Sequence, residues 1–163
     1  MSAVAPMKPE QMKPFVDGTV EVFESLLKVR LKESAVEFKN APEGTFDLSA
    51  VIGLTGAATG SFVLSAPCET ARNFVGRMLG DGSAVSDQDM VDGTGELLNI
   101  VAGRACQKLG QLGIEGLYLS LPTVVMGRHR VVWPVKDLPC LLMRFFDTDL
   151  GSFSIEVNLK SGC

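Results

Sequence analysis

Residues 91–99, VDGTGELLN, repeat residues 16–24, VDGTVEVFE, with five identical positions of nine at an offset of 75. A weaker similarity links residues 53–64 with residues 144–155, because each contains a strand-like run, a turn, Gly-Ser-Phe and a second run. Each half of the chain therefore consists of a helix and a hairpin. Two such halves predict a pseudo-symmetric arrangement in which two helices pack on one face of a shared sheet.

The second repeat lies in a predicted helix with well-defined boundaries. Ser86, followed three residues later by Asp89, resembles a capping box, and the helical pattern continues to about residue 112. The first repeat lies in a helix predicted from about residue 10 to residue 31. After the first helix, the sequence predicts a strand at 34–39 and a hairpin whose two strands, 46–54 and 61–64, are linked by residues 55–60. A further helix is predicted to begin at residues 65–67 and to end at residues 79–80. The remaining predicted elements are strands at 118–126, 130–133, 140–146 and 152–159.

This order of elements predicts the α+β class, with a mostly antiparallel sheet and long helices packed on one of its faces. Hydrophobic residues make up 46% of the chain and charged residues 21%, which is typical of a globular protein rather than a disordered or coiled-coil one. With 163 residues, we expect a single domain over residues 1–163, beginning with a loose lead at residues 1–9.

Charge and hydropathy argue against two classes of partner. The formal net charge is −4 and the pI is near 5.0, without a basic block to follow a phosphate backbone, so no nucleic-acid partner is expected. No stretch approaches the roughly twenty apolar residues that a membrane span requires. The first residues have no apolar signal segment behind a basic start, so we expect a cytoplasmic protein.

The cysteines do not form a metal-binding pattern. Cys68, Cys106, Cys140 and Cys163 have no C-x2-C pairing, and the only histidine is His129. Neither a zinc site nor a disulfide framework is expected. The thiols are predicted to be small buried side chains, with one further thiol at the tail.

The long helix carries a stripe of polar and small residues. At about 100° per residue, six positions fall within about 40° of one line: Asp92, Glu96, Asn99, Gly103, Cys106 and Gly110. The opposite side is predicted to pack on the sheet: Met90, Thr94, Leu97, Leu98, Val101, Ala105 and Leu112. Glycines at 95, 103 and 110 are unfavourable on an ordinary solvated helix face, so we infer that this outer face lets another surface approach the backbone.

The chain lacks the motifs of a self-contained catalyst. It has no phosphate-binding Gly-rich loop, nucleophile elbow, metalloprotease histidine pair or dinucleotide-binding turn, and His129 lies between two arginines in a polar loop. A carboxamide such as that of Asn99 can orient a water for phosphoryl transfer when phosphate, Mg²⁺ and cationic groups are already in place. A partner protein would have to supply those groups.

The spacing Asp92-x3-Glu96-x2-Asn99-x22-Pro122 resembles the signature of the CheC and CheX family of chemotaxis phosphatases. The resemblance implies dephosphorylation of the aspartyl phosphate of a CheY-like receiver domain, with Mg²⁺ held by the receiver and no cofactor or metal on this chain. It also implies that Asn99 positions the hydrolytic water and that Glu96 pairs with a lysine of the receiver. Asp92 and Pro122 then support the site, Pro122 by fixing the start of the following strand.

The first repeat is predicted to be a degenerate copy of this motif. It keeps Asp17 and Glu21 but has Glu24 at the asparagine position and Asp47 at the proline position. A carboxylate at residue 24 cannot donate a hydrogen bond and would repel phosphoryl oxygens. One active and one degenerate helix resembles CheX-type members, which implies a homodimer joined through its sheets.

Other functions remain open at this point. A non-catalytic adaptor of the same fold would bind a receiver domain or a flagellar switch component without hydrolysing anything. An unrelated α+β dimer would instead bury Glu96 and Asn99 in its subunit interface. In a further alternative, the outer face of the helix is simply in contact with solvent, and Glu96 and Asn99 have no functional role.

Overall fold

The computed structural model describes residues 5–33, 36–39, 46–80, 84–127, 138 and 140–161. The helices are α1 (Pro9–Val22), α2 (Cys68–Leu79) and α3 (Asp87–Gln111), and α1 continues into a π-helical turn at Phe23–Leu27. The strands are β1 (Lys32–Glu33), β2 (Glu37–Lys39), β3 (Leu48–Gly56), β4 (Ala58–Ala66), β5 (Leu117–Leu119), β6 (Thr123–Met126), β7 (Cys140–Asp147) and β8 (Gly151–Ser161). His129, Cys163 and the strand predicted at 130–133 lie outside the described residues.

The strands form one antiparallel sheet in the order β1-β7-β8-β4-β3-β5, with β2 also on β7 and β6 also on β3. The two hairpins, β3–β4 and β7–β8, meet through the β4–β8 pair. The short strands that follow α1 pair with the second hairpin, whereas those that follow α3 pair with the first. Each half of the chain thus completes the sheet of the other, which confirms the predicted α+β class and two-half arrangement.

The three helices pack on one face of the sheet and on one another. Alternate residues of the central strands point into this layer, and Phe62 of β4 and Ile155 of β8 are fully buried there. The ring of Phe15 in α1 lies 5.0 Å from that of Phe62 between centroids, which joins the helical layer to the sheet. This core confirms that the helices share one face.

The two repeats adopt the same local structure. Thr19 and Thr94 are fully buried, and each hydroxyl donates a hydrogen bond to the carbonyl oxygen four residues earlier at 2.7 Å. The glycine before each threonine lies at a close helix contact. A Cβ at Gly18 would lie 3.3 Å from the backbone of α3, and one at Gly93 would lie 2.5 Å from Val75 of α2. The Gly-Thr pair of each repeat therefore serves helix packing.

Two boundaries in the first half differ from the sequence prediction. The first helix and its π turn end at Leu27 rather than near residue 31, because Lys28 has a left-handed backbone with a φ of 58°. The hairpin link is the single residue Ala57, because the two strands extend through the link predicted at 55–60. Gly56, with a φ of 95°, permits this tight reversal.

Three further predictions need correction. The lead is attached to the sheet from residue 5 onward, since Met7 is buried and its N–H donates to the Leu159 carbonyl at 3.2 Å. The strand predicted at 118–126 is two strands interrupted at residues 120–122. Leu112, predicted to be buried, is 58% exposed, because α3 ends at Gln111 and the helical spacing on which the prediction rests does not continue to it.

Candidate active site

The start of α3, the helix that carries the motif, is fixed by two sets of contacts. The Ser86 hydroxyl accepts a hydrogen bond from the Asp89 N–H at 3.0 Å, and the Asp89 carboxylate accepts one from the Ser86 N–H at 3.1 Å. This geometry confirms the predicted capping box. Arg72 of α2 donates to the Val85 carbonyl at 2.7 Å and forms an ion pair with Asp87. The helix therefore has a defined orientation on the sheet.

Asp92, Glu96 and Asn99 lie on the outer side of α3, opposite the side that packs on the sheet. Asp92 and Glu96 are exposed and Asn99 is partly exposed, whereas Leu97 and Leu98 between them are fully buried. Successive motif positions are about one helical turn apart, so their side chains project from the same surface. The structure thus brings these three predicted residues together.

The side chains of Glu96 and Asn99 have no hydrogen bond or ion pair with any residue that the structure describes. Asp92 differs, because its Oδ1 accepts a hydrogen bond from the Gln88 side chain at 2.8 Å. A carboxylate and a carboxamide without partners can each bind a group supplied from outside the chain. Asp92 is instead held against its own helix.

Pro122 packs over the turn of α3 that precedes Glu96. A Cβ at Gly95 would lie 3.6 Å from Cβ and Cγ of Pro122 and 3.4 Å from Cγ2 of Val124. Gly95 is therefore buried, and its predicted place on the outer face is wrong, because β6 covers it. The fold brings the motif proline to the same turn that leads to Glu96 and Asn99.

The outer acidic positions of the first repeat are paired within the chain. Asp17 forms an ion pair with Lys13 at 2.8 Å, one turn before it on α1. Glu24, which stands at the asparagine position, lies 3.7 Å from Nε of Arg30. Both pairs are largely exposed and contribute little to stability, but they occupy the groups that a partner would need.

Glu21, the counterpart of Glu96, is bound by two cations of α3. It forms an ion pair with Lys108 and lies 3.7 Å from Nε of Arg104. These two cations are not evident from the sequence, because only the packing of α3 against α1 brings them to the first repeat. The copy with the paired glutamate is the copy that lacks the asparagine.

Two local structural features also distinguish the first copy. Glu24 lies in the π-helical turn at Phe23–Leu27, whereas Asn99 lies in regular α-helix, so the two side chains are displayed differently. Asp47, at the position of the motif proline, accepts a hydrogen bond from the Cys68 N–H at 3.0 Å. The residue at the proline position of this copy therefore caps the start of α2.

The described thiols near the helices are not activated nucleophiles. Burial raises the pKa of Cys106, and burial followed by the neighbouring Asp47 carboxylate raises the pKa of Cys68. Both thiols stay protonated at neutral pH. Cys140 is buried as predicted, whereas Cys68 and Cys106 are only partly buried. Among the described residues, no group of three or more His, Cys, Asp or Glu side chains is placed to hold a metal.

The candidate site is thus a carboxylate and a carboxamide, one turn apart beside a proline, neither of them paired with a described residue. The neutral carboxamide is a poor nucleophile, but it can both donate a hydrogen bond to a water and accept one from it. The pair lies on the outer side of the helix, with Glu96 exposed and Asn99 partly exposed. Such an arrangement suits a reactive group that a partner protein presents to it.

Comparisons with known proteins relate most of the chain to one family. The sequence model described as chemotaxis phosphatase CheX matches residues 48–145. The CheY-P phosphatase CheX of Thermotoga maritima is 29% identical over 149 residues, which cover 90% of this chain and 94% of that protein. The similarity therefore includes the helix, the short strands and the hairpin that build the site.

Solved structures share the fold. The chemotaxis protein CheX from Desulfovibrio desulfuricans is 30% identical with a TM-score of 0.82, covering 92% of this chain and 99% of that chain. A CheX–CheY–BeF3–Mg²⁺ complex from Borrelia burgdorferi is 18% identical with a TM-score of 0.74, covering 94% and 100%, and supports the fold alone. Within the part of the chain that the structure describes, no helix combines the length and apolar character that a membrane crossing needs.

Proposed function

Because the chain belongs to the chemotaxis phosphatase CheX family, as its motif predicted, we propose that it hydrolyses the aspartyl phosphate of a CheY-like receiver domain. The observation that carries the proposal is the pair of side chains without described partners, Glu96 and Asn99, on the outer side of α3. A relative named for CheY-P phosphatase activity, similar over 90% of this chain, supports a receiver as the substrate.

Asn99 holds the attacking water in this proposal. The water oxygen forms a bond to phosphorus while the bond from phosphorus to the aspartyl oxygen breaks, and the leaving carboxylate keeps that electron pair. The products are inorganic phosphate, which retains the hydrogens of the water, and the unmodified receiver. A neutral carboxamide suits this position because it aligns the water without adding negative charge near the phosphoryl oxygens. Mg²⁺ held by the receiver would offset the phosphoryl charge, so the proposal needs no metal ligand from the described residues of this chain.

Glu96 holds the receiver in register by pairing with a receiver lysine. Its exposed carboxylate has no described partner, so pairing does not require a bond within the chain to be broken first. The pair gains strength when docking removes water from it, whereas a fully exposed pair contributes little. A carboxylate one turn from Asn99 thereby sets where the phosphoryl group lies relative to the water.

Asp92 and Pro122 support this pair rather than touch the phosphoryl group. Asp92 is bound to Gln88 on the same helix, and the ring of Pro122 covers Gly95 just before Glu96. The first copy is inactive in this proposal. Its Glu21 is already bound by cations of α3, and it has a carboxylate where a carboxamide is needed.

The test is the decay of a phosphorylated CheY-like receiver with Mg²⁺, alone and with a catalytic amount of the protein. We expect accelerated decay with the wild type and at least a roughly tenfold smaller acceleration with Asn99→Ala, while receiver binding is retained. Gln111→Ala is the matched control, because it removes an exposed carboxamide from the end of the same helix. Full turnover by Asn99→Ala would contradict the proposed positioning of the water by Asn99, but not the membership of the chain in the family.

Unchanged decay with receivers that bind the protein would favour the non-catalytic adaptor instead. The unrelated-dimer interpretation does not hold, since the chain belongs to a phosphatase family. A homodimer joined through its sheets and a cytoplasmic location remain predictions, and sedimentation of the purified protein tests the first of them.

A further inference from the structure

Leu121 is the most exposed large apolar side chain among the described residues. It is 88% exposed and lies between β5 and β6, directly before the motif proline. Single exposed apolar side chains are common on protein surfaces, so exposure alone carries no function. The position and the fixed backbone of this leucine are the informative features.

The backbone on both sides of Leu121 is held in place. On one side, the Ser120 N–H donates to the Gly53 carbonyl and its hydroxyl accepts from the Gly53 N–H, both at 2.9 Å. The same hydroxyl donates to the Leu121 carbonyl at 3.0 Å. On the other side, Pro122 packs over Gly95. The leucine is therefore presented to solvent by anchored neighbours.

This segment lies beside the candidate catalytic residues. Pro122 contacts α3 at the residue before Glu96 and one turn before Asn99, and Leu121 is one residue, about 3.8 Å, along the chain from that contact. A typical protein partner covers about 800 Å² of each surface, a patch of about 16 Å radius. A patch of this size centred on Asn99 would extend to the segment that carries Leu121.

We propose that the receiver domain docks on Leu121, which serves as an apolar anchor. Leu121 then contributes most to the affinity for the receiver, whereas Glu96 positions the receiver and Asn99 positions the attacking water. This inference rests on the proposed function. Exposed charge pairs add little affinity, so a small docking surface built around one carboxylate and one carboxamide needs an apolar contact. Leu121 fits that role because its side chain loses nearly all of its contact with water when covered.

The experiment measures binding and turnover with Leu121→Ser. The probe is a CheY-like receiver from the same organism, held active by beryllium fluoride and Mg²⁺ for binding and phosphorylated for turnover. Leu112→Ser is the matched control, because Leu112 is also an exposed leucine, 58%, and follows Asn99 by 13 positions or about 20 Å along the helix axis. Both substitutions replace exposed side chains, so both variants are expected to fold.

We expect Leu121→Ser to raise the dissociation constant and KM about tenfold with kcat unchanged, and Leu112→Ser to change neither. Wild-type affinity in Leu121→Ser, or a loss of kcat without a change in KM, would overturn the inference. So would an altered oligomeric state with unaltered receiver affinity, which would assign Leu121 to a contact between copies. Failure of the proposed function can be distinguished from failure of this inference, because the wild type would then bind the receiver without accelerating its decay.

Discussion

Glu21 and Glu96 stand at the same position of the two repeated helices, yet Glu21 is bound by Lys108 and Arg104 whereas Glu96 has no described partner. The packing of α3 on α1 therefore has opposite effects on the two copies. It brings the cations of α3 to the glutamate of the first copy and leaves that of the second facing outward. We therefore expect charge pairing, as well as the loss of the asparagine, to keep the first copy inactive.

We expect Glu24→Asn to leave the first copy inactive. The substitution restores the motif residue, but Glu21 remains paired with Lys108, and residue 24 remains in the π-helical turn. In an Asn99→Ala background, the added Glu24→Asn should give no more receiver dephosphorylation than Asn99→Ala alone. Recovery of even a tenth of wild-type turnover by the double variant would show that neither the ion pair of Glu21 nor the π-helical turn keeps this copy inactive.

Glu96→Gln should lower kcat/KM about five- to tenfold, because it removes the charge that pairs with the receiver lysine while keeping the shape of the side chain. The defect should shrink as salt is raised, since salt weakens the wild-type contact and has less effect on the neutral variant. Initial rates at several receiver concentrations and two ionic strengths measure both effects. Glu115→Gln, an exposed acid in the loop after α3, is the control and should match the wild type.

The repeat predicted much of this fold because it encodes local structure twice. Thr19 and Thr94 make the same hydrogen bond, and the capping box of Ser86 defines the start of α3. The outward side of Asp92, Glu96 and Asn99 followed from helical spacing, because burial on a sheet leaves only one side of such a helix free. The choice of these three as candidate site residues rests on the motif.

Features that depend on contacts between distant elements were not predicted. Helical spacing places Gly95 on the outer face, because it gives no information about β6, which covers this residue. Each half adds its short strands to the hairpin of the other half. In the first half, this arrangement requires β1 and β2 to pair with β7, which lies more than 100 residues away in the sequence. The exposure of Leu121 depends on the break between β5 and β6, whereas the sequence pattern predicted one continuous strand.

Gly93→Ala should destabilise the protein by about 1–3 kcal/mol, because its Cβ would lie 2.5 Å from Cγ2 of the buried Val75. Val75→Ala removes both methyl groups that would clash. The double variant should therefore be less destabilised than the sum of the single variants, with a coupling of about 1 kcal/mol or more. Urea unfolding of the four proteins measures this cycle, and strict additivity would contradict the packing of α2 on α3 through this contact.

Gly103→Ala should stabilise the fold and weaken the reaction. Gly103 lies one turn after Asn99 on the outer face, and no described atom lies within 4 Å of the point that a Cβ would occupy, so alanine adds about 0.5–1 kcal/mol of helix stability. The same methyl group would hold the receiver away from the backbone beside Asn99 and should raise KM several-fold. Gly76→Ala in α2, where a Cβ also fits, is the control and should stabilise without changing KM. If Gly103→Ala kept the wild-type KM, the receiver would not approach this turn of α3, and the small residues of the outer face would need another explanation.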